Sequence, residues 1–224
     1  MNAIGKHLAK NLSVSFQTQV AKIVQTKDGI SVSDDAGTQL GIFDRVIVSA
    51  PAEQSAVLLE SFPKIAKQVA QVEMNPCWAL MVALPEPVSN QWVGAFLHDS
   101  FLSWAARNST KPGRNSGGDG AGENLVIHAK PEWTAEHWDC DSDEVAHWML
   151  DEFWRLSGAI AQTPNHLVAH RWKYAFAVNP SDCCCFMNDA GTVVVCGDWA
   201  NGSRVEGAFL SGVAAANRIL GESL

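Results

Sequence analysis

Gly197 and Asp198 follow an unbroken run of Thr192, Val193, Val194, Val195 and Cys196, and lead through a small-residue loop to an apolar segment with helical spacing. A run of this kind predicts a strand buried on both faces, and the glycine stops it. In open α/β sheets, ligands gather at the carboxyl ends of strands, where helix N-termini converge with unpaired N–H groups and a positive dipole end. Asp198 stands at that end. Its carboxylate would repel a bare phosphate but can accept hydrogen bonds from the hydroxyls of a sugar or sugar-like chain. The same residue could instead cap the loop or the helix, and the spacing leaves both roles open. Cys183, Cys184 and Cys185, with His166 and His170, are the metal-ligand candidates. Those histidines alternate on a predicted strand and no Cys-x-x-Cys pair exists, which argues against a metal.

Other elements must position the turn. Past it, Leu210, Val213, Ala214 and Leu220 share one predicted helix face. Small residues recur every four positions, Gly207, Ser211 and Ala215 on one row and Ala208, Gly212 and Ala216 on the next. Such rows allow a close backbone approach to a neighbour. Upstream, a helix is expected over residues 1–10 and a strand over 14–20. A hairpin follows over 21–33 with Asp28-Gly29 at its turn, and then a strand over 43–49 ended by Ala50-Pro51. Strands are predicted at 78–84, 125–129 and 167–175. A helix begins after Asp141, which can cap it with Glu144 three residues on, and ends at Gly158; Val145, Trp148, Met149 and Leu156 can point inward. Seven of the nine tryptophans lie between Trp92 and Trp172, so this middle region should hold an aromatic-rich core or pocket. Residues 115–123, rich in Gly, Ser and Asn, read as a flexible surface loop. The glycines at 118, 120 and 122 are no dinucleotide fingerprint, because no strand precedes them and no helix start follows.

Composition narrows the partners. A chain of 224 residues with 47% apolar and 18% charged residues can bury a sizeable core in one large or two small domains. A formal charge of −8 disfavours nucleic acid and anionic membrane as partners. No stretch approaches a transmembrane helix or a signal peptide. The six cysteines read as reduced thiols of a cytoplasmic protein rather than a disulfide scaffold.

Gly197-Asp198-Trp199, then residues 202–208 and Ser211-Gly212, resemble the C-terminal FAD motif of the flavin amine-oxidase superfamily, and most closely its renalase-like branch. Residues 46–51, 103–109 and 170–175 are also similar to that branch, and the likeness runs over nearly the whole chain. The resemblance implies a mixed α/β fold: a partial FAD-binding, Rossmann-like domain from residues 1–62 and 186–224, with a mixed-sheet substrate domain, residues 63–185, inserted. It implies cofactor contacts from Val20, Ala50 and Pro51 on the adenosine side. Gly197 and Asp198 would lie at the ribityl or pyrophosphate region, and Arg204, Val205, Glu206 and Ala208 at the flavin ring. Trp172, Tyr174 and Trp199 are candidate walls for a ring-shaped substrate, and His128 and His170 are candidate pocket residues. No catalytic side chain is needed, since the flavin itself accepts the hydride.

The implied activity is oxidation of a reduced nicotinamide-like or amine substrate. A non-catalytic interaction module and another nucleotide-binding α/β enzyme are the competing readings. The Gly-x-Gly-x-x-Gly turn with which such flavoproteins begin has no counterpart here. The chain is therefore expected to be a C-terminal portion that binds FAD poorly alone. It should self-associate along an exposed Val193–Val195 edge, or need the missing segment.

Overall fold

The computed structural model describes residues 2–88, 92–114 and 122–221. In chain order these form α1 (Asn2–Leu8), β1 (Val20–Thr26), β2 (Gly29–Asp34), β3 (Gln39–Phe43), β4 (Val46–Val48), α2 (Ala52–Leu58) and α3 (Pro63–Val69). Then come β5 (Met74–Leu84), β6 (Gly94–Phe96), β7 (Leu102–Arg107), β8 (Glu123–Ala129), α4 (Pro131–Glu136), α5 (Ser142–Ser157) and β9 (His166–Ala177). The chain ends with β10 (Cys185–Met187), β11 (Val193–Cys196) and α6 (Val205–Leu220). The class is mixed α/β, as the sequence implies. No helix among the described residues is long and apolar enough to cross a membrane.

Two compact units result, one from residues 1–73 with 180–224 and the other from residues 74–179. The sequence placed the cuts at 62 and 186. Helix α3 joins the first unit because it packs on α2 and β10, contacts that its own sequence does not announce.

In the first unit, β1, β2 and β3 make an antiparallel meander. The predicted strand over 14–20 does not form; the first strand begins only at Val20. Val14 and Phe16 alternate correctly but find no strand to pair with, and both are exposed. The single strand expected over 43–49 is two strands. A break at Asp44 and Arg45 sends β3 and β4 into different sheets.

The second sheet of this unit has the order β10-β11-β4, with β10 antiparallel and β4 parallel to β11. Every residue of β11 is buried. The expectation that Val193–Val195 forms an open edge is thus overturned. The hairpin from β10 covers one side and β4 the other, so the outer strands are β10 and β4, and on β4 Ile47 is exposed. Helix α6 packs through the first of its two small-residue rows and not through its larger side chains. The small residues Gly207, Ser211, Ala214 and Ala215 are buried, while Phe209, Leu210 and Leu220 are exposed. A close backbone approach to the loop before it excludes large side chains from that face. Arg45 donates from Nη1 to the carbonyl of Ile219 near the helix C-terminus, where a cation opposes the dipole.

The second unit is one sheet, order β6-β7-β8-β5-β9, antiparallel at every pairing. Alternation on β5 sends Trp78, Leu80, Val82 and Leu84 to one face. There they meet Leu125 and Ile127 of β8 and Val145, Met149 and Phe153 of α5. Full burial of a side chain such as Phe153 contributes about 1.5–3 kcal/mol. Helix α5 is capped as predicted: the Asp141 carboxylate accepts from Asp143 N–H at 2.9 Å and Glu144 N–H at 3.3 Å, and Gly158 ends it in the left-handed conformation. Val145 and Met149 point inward, but Trp148 is 41% exposed and packs edge-on against Trp133 and His137, and Leu150 and Phe153 take the core positions instead. Of the loop expected over 115–123, residues 115–121 lie outside the described residues, as do the glycine-rich positions 118 and 120; Glu123 already begins β8.

Candidate functional site

The turn after β11 is built by contacts at two glycines that leave no room for a side chain. A Cβ on Gly197 would lie 2.4 Å from Trp199 Nε1, and one on Gly207 would lie 2.0 Å from the Asn201 carbonyl oxygen. Real Cβ atoms do not approach so near, so only glycine lets the loop fold back onto the start of α6. The Asp198 carbonyl closes the loop by accepting from Asn201 N–H at 2.9 Å and Ser203 N–H at 2.8 Å. Ser203 adopts a positive φ of 51° to complete it.

Ser211 holds the turn from beneath. Its Oγ accepts the Gly197 N–H at 2.9 Å and donates to the Cys184 carbonyl, so one buried hydroxyl joins α6, the end of β11 and the loop before β10. In the sequence Ser211 belongs to a packing row of small residues and to the Ser211-Gly212 part of the flavin-family motif, and neither announces its hydrogen bonds. The signal was a hydroxyl in a row otherwise made of glycine and alanine.

This arrangement leaves Asp198 half-buried at the strand end. Burial raises its carboxyl above the ordinary aspartate value, and the N–H groups of Trp199 and of Asp198 itself pull it the other way. Arg204 is the residue before the first turn of α6, and the N–H groups of Val205, Glu206 and Gly207 lack intrahelical partners by helix geometry. Arg204, Val205, Glu206 and Ala208 are all exposed around that turn. Gly197, Asp198 and these four residues therefore form one cluster.

The other expected residues are distributed differently. The Ala50 carbonyl accepts from Ser55 Oγ at 2.9 Å and from Trp199 Nε1 at 3.0 Å, which uses both of its lone pairs on the protein. Pro51 stands at the N-terminus of α2. Val20 begins β1, in the other sheet of the same unit. Trp199 is a correction: its ring is 1% exposed, stacks on Phe186 at 5.8 Å and bonds to Ala50, so it is a core strut and not a pocket wall. Its position two residues after a glycine gave no sign that the ring turns inward.

Trp172 and Tyr174 belong to the second unit. They alternate with His170 along the face of β9 opposite the one that carries Ala169 into the core. Trp172 is 55% exposed and packs edge-on against His170 at 4.3 Å. His128 lies 4.9 Å from the Trp104 ring and 6.3 Å from that of Phe176, and burial lowers its pKa. The sheet face away from α5 is thus aromatic and imidazole-rich, with His128 among the rings. Sequence reasoning did not find the ion pair of this unit, in which Glu123, 2% exposed, accepts from Arg107 Nε and from Val88 N–H at 2.9 Å.

Residues 1–220 match the family described as flavin containing amine oxidoreductase. This chain belongs to that family. Solved structures similar to this chain include cyclohexylamine oxidase from Brevibacterium oxydans IH-35A. That likeness has 13% identity and a TM-score of 0.72, over 97% of this chain and 51% of that one. A cofactor-binding redesign of putrescine oxidase is similar at 14% identity and a TM-score of 0.65, over 98% of this chain and 52% of that one. At identities this low the likeness shows the fold alone. The chain spans about half the length of each structure.

The donor set suits part of a flavin cofactor. A half-buried carboxylate can take hydrogen bonds from polyol hydroxyls, and the first turn of α6 offers N–H groups to an electron-rich ring edge. A pyrophosphate would need other groups, because Asp198 and Glu206 both carry negative charge beside the turn.

Proposed function

We propose that this chain is the ring-binding and substrate-binding part of an FAD-dependent oxidoreductase of renalase-like type. The observation that carries the reading is the turn Gly197–Asp198 closed against the N-terminus of α6, in a chain of the flavin-containing family. When bound, FAD supplies the two-electron acceptor for a hydride from a reduced nicotinamide-like ring or an amine.

The residues of this chain position the groups. Asp198 accepts hydrogen bonds from the ribityl region, and the amides around Arg204, Val205 and Glu206 face the pyrimidine edge and hold negative charge there. Val20, Pro51 and the Ala50 backbone lie on the adenosine side. Trp172 and Tyr174 offer flat faces to a ring-shaped substrate, which aromatic packing favours over a long flexible one. A further segment, in the same protein or another chain, supplies the glycine-rich pyrophosphate turn and pairs with β4. The free thiols agree with a cytoplasmic setting.

The test is to produce the chain together with a βαβ segment carrying the glycine-rich turn, and to record flavin absorbance and oxygen uptake with dihydronicotinamides and with amines. Bound flavin and turnover of either substrate class support the reading; a colourless, folded complex overturns it. Within that complex, Asp198→Ala should weaken flavin retention by about 1.5–3 kcal/mol, roughly ten- to a hundredfold. Full flavin occupancy after dialysis would remove Asp198 from the site.

A further inference from the structure

Four of the chain's six cysteines lie together in the first unit, and nothing in the flavin reading uses them. Cys183, Cys184 and Cys185 run into β10, and Cys185 is the cross-strand partner of Cys196 on β11. All four are free thiols. They share an electrostatic neighbourhood: the Cys185 thiol feels those of Cys183 and Cys184, and the Cys196 thiol feels that of Cys185. Among the described residues no His, Asp or Glu joins them in a group able to hold a metal.

The local backbone is shaped for a covalent link. Cys185 N–H donates to the Cys183 carbonyl at 2.7 Å, and Cys184 between them has a φ of 63°. This is a γ-turn of the rare positive-φ kind. By γ-turn geometry the Cα atoms of Cys183 and Cys185 lie closer than the roughly 6.6–6.8 Å of an extended pair, which sits at the upper limit of the about 4.4–6.8 Å found in disulfides. Cys183 is exposed and held at one place in the loop. Its Sγ accepts from Ser181 Oγ at 3.0 Å, and its N–H returns a bond to the same oxygen at 3.3 Å.

Cys185 differs in kind. Burial raises its thiol above the ordinary value, with Arg218 acting in the opposite direction. An exposed sulfur beside a buried one separates the roles of attacking and resolving thiol.

We propose that Cys183 and Cys185 form a peroxide-responsive thiol pair, closing a disulfide across the γ-turn. In the first step the Cys183 thiolate attacks one oxygen of hydrogen peroxide; the O–O bond breaks, a sulfenic acid forms, and hydroxide leaves as water after protonation. In the second, the Cys185 sulfur attacks the Cys183 sulfur, and the hydroxyl departs as water with the thiol proton. Two thiols lose two electrons and two protons, and one peroxide becomes two waters. The loop that is closed lies on the hydrogen-bond chain of the Asp198 turn. Cys184 between the pair offers its carbonyl to Ser211, which in turn accepts the Gly197 N–H.

The proposal does not depend on flavin and is tested on the 224-residue chain. Reduced protein is treated with equimolar hydrogen peroxide, alkylated, and digested before aspartates. This separates the peptide from Asp182 to Asn188, with three cysteines, from the one from Asp189 to Gly197, with Cys196. The expected result is a 182–188 peptide lighter by two hydrogens with a single alkylated cysteine, and the same link in Cys184→Ser. A second variant, Cys185→Ser, should leave Cys183 as a sulfenic acid trapped by dimedone. Three outcomes overturn the proposal: peptides joined through Cys196, a link lost in Cys184→Ser, or over-oxidation of Cys183 with no link in the unsubstituted chain. The last readout needs no variant to fold.

Discussion

Replacing Gly207 by alanine should destabilise the first unit even though alanine is the better helix former. In a helix interior the exchange alone is worth about 1 kcal/mol in favour of alanine. Here the new Cβ would sit 2.0 Å from the Asn201 carbonyl oxygen and 3.0 Å from its carbon, where ordinary contact begins at 3.4 Å. The obstacle is backbone, itself bonded through its N–H to the Asp198 carbonyl, so no side-chain rotation relieves it. Relief means shifting α6 or the loop, and such overpacking costs roughly 1–3 kcal/mol or more. A backbone obstacle at 2.0 Å places the cost at the upper end of that range, so the net expectation is a loss of about 2 kcal/mol, read as a fall of roughly 2–4 °C in Tm per kcal/mol for a chain of this size. Gly212, five residues on in the same helix, is the control. A Cβ there meets nothing within 4 Å, so Gly212→Ala should raise stability by about 0.5–1 kcal/mol. Thermal and urea denaturation of both variants decide the matter. If Gly207→Ala is as stable as the parent, the loop does not fold back on α6 as described, and the account of the Asp198 turn fails with it.

Asp198 gives a pH signature. Its folded carboxyl holds its proton more tightly than the unfolded one, so its contribution to stability is fully present in acid below the unfolded value. That contribution is lost as pH rises through the folded value. Asp198→Asn should therefore be more stable than the parent at neutral pH and lose that advantage in acid; a gain that is flat with pH would refute the burial argument. In the second unit, Glu123→Gln leaves Arg107 without its buried carboxylate and should cost about 3 kcal/mol, near the lower end for a broken buried pair, measured by urea titration. A change within half a kilocalorie would mean that the pair is solvated. Size-exclusion chromatography of the chain alone should show self-association through the β4 edge, with flavin absorbance weak or absent. Replacing the exposed Ile47 by lysine should return it to a monomer, and a monomeric parent would rule out an open edge.

Local pattern determined much of this protein. The β-branched run before Gly197 could only be a buried strand. Asp28-Gly29 could only turn a hairpin, and Asp141 with Gly158 bounded α5, because each signal acts within a few residues of itself. The cluster of Gly197, Asp198 and residues 204–208 was legible for the same reason: strand end, turn and helix start are contiguous in the chain. Tertiary structure decided what depends on a distant partner. Val14 and Phe16 had the alternation of a strand and no neighbour to bond with. Residues 43–49 read as one strand, yet pairing divided them between two sheets. Trp199 turned inward because the Ala50 carbonyl and the Phe186 ring lay within reach. The face of α6 was settled by the Asn201 carbonyl beside Gly207, which admits only small residues and turns Phe209 and Leu210 outward. Periodicity records which residues share a face. What that face meets is set by chain segments far away in sequence, and here a backbone contact outweighed the burial of larger side chains.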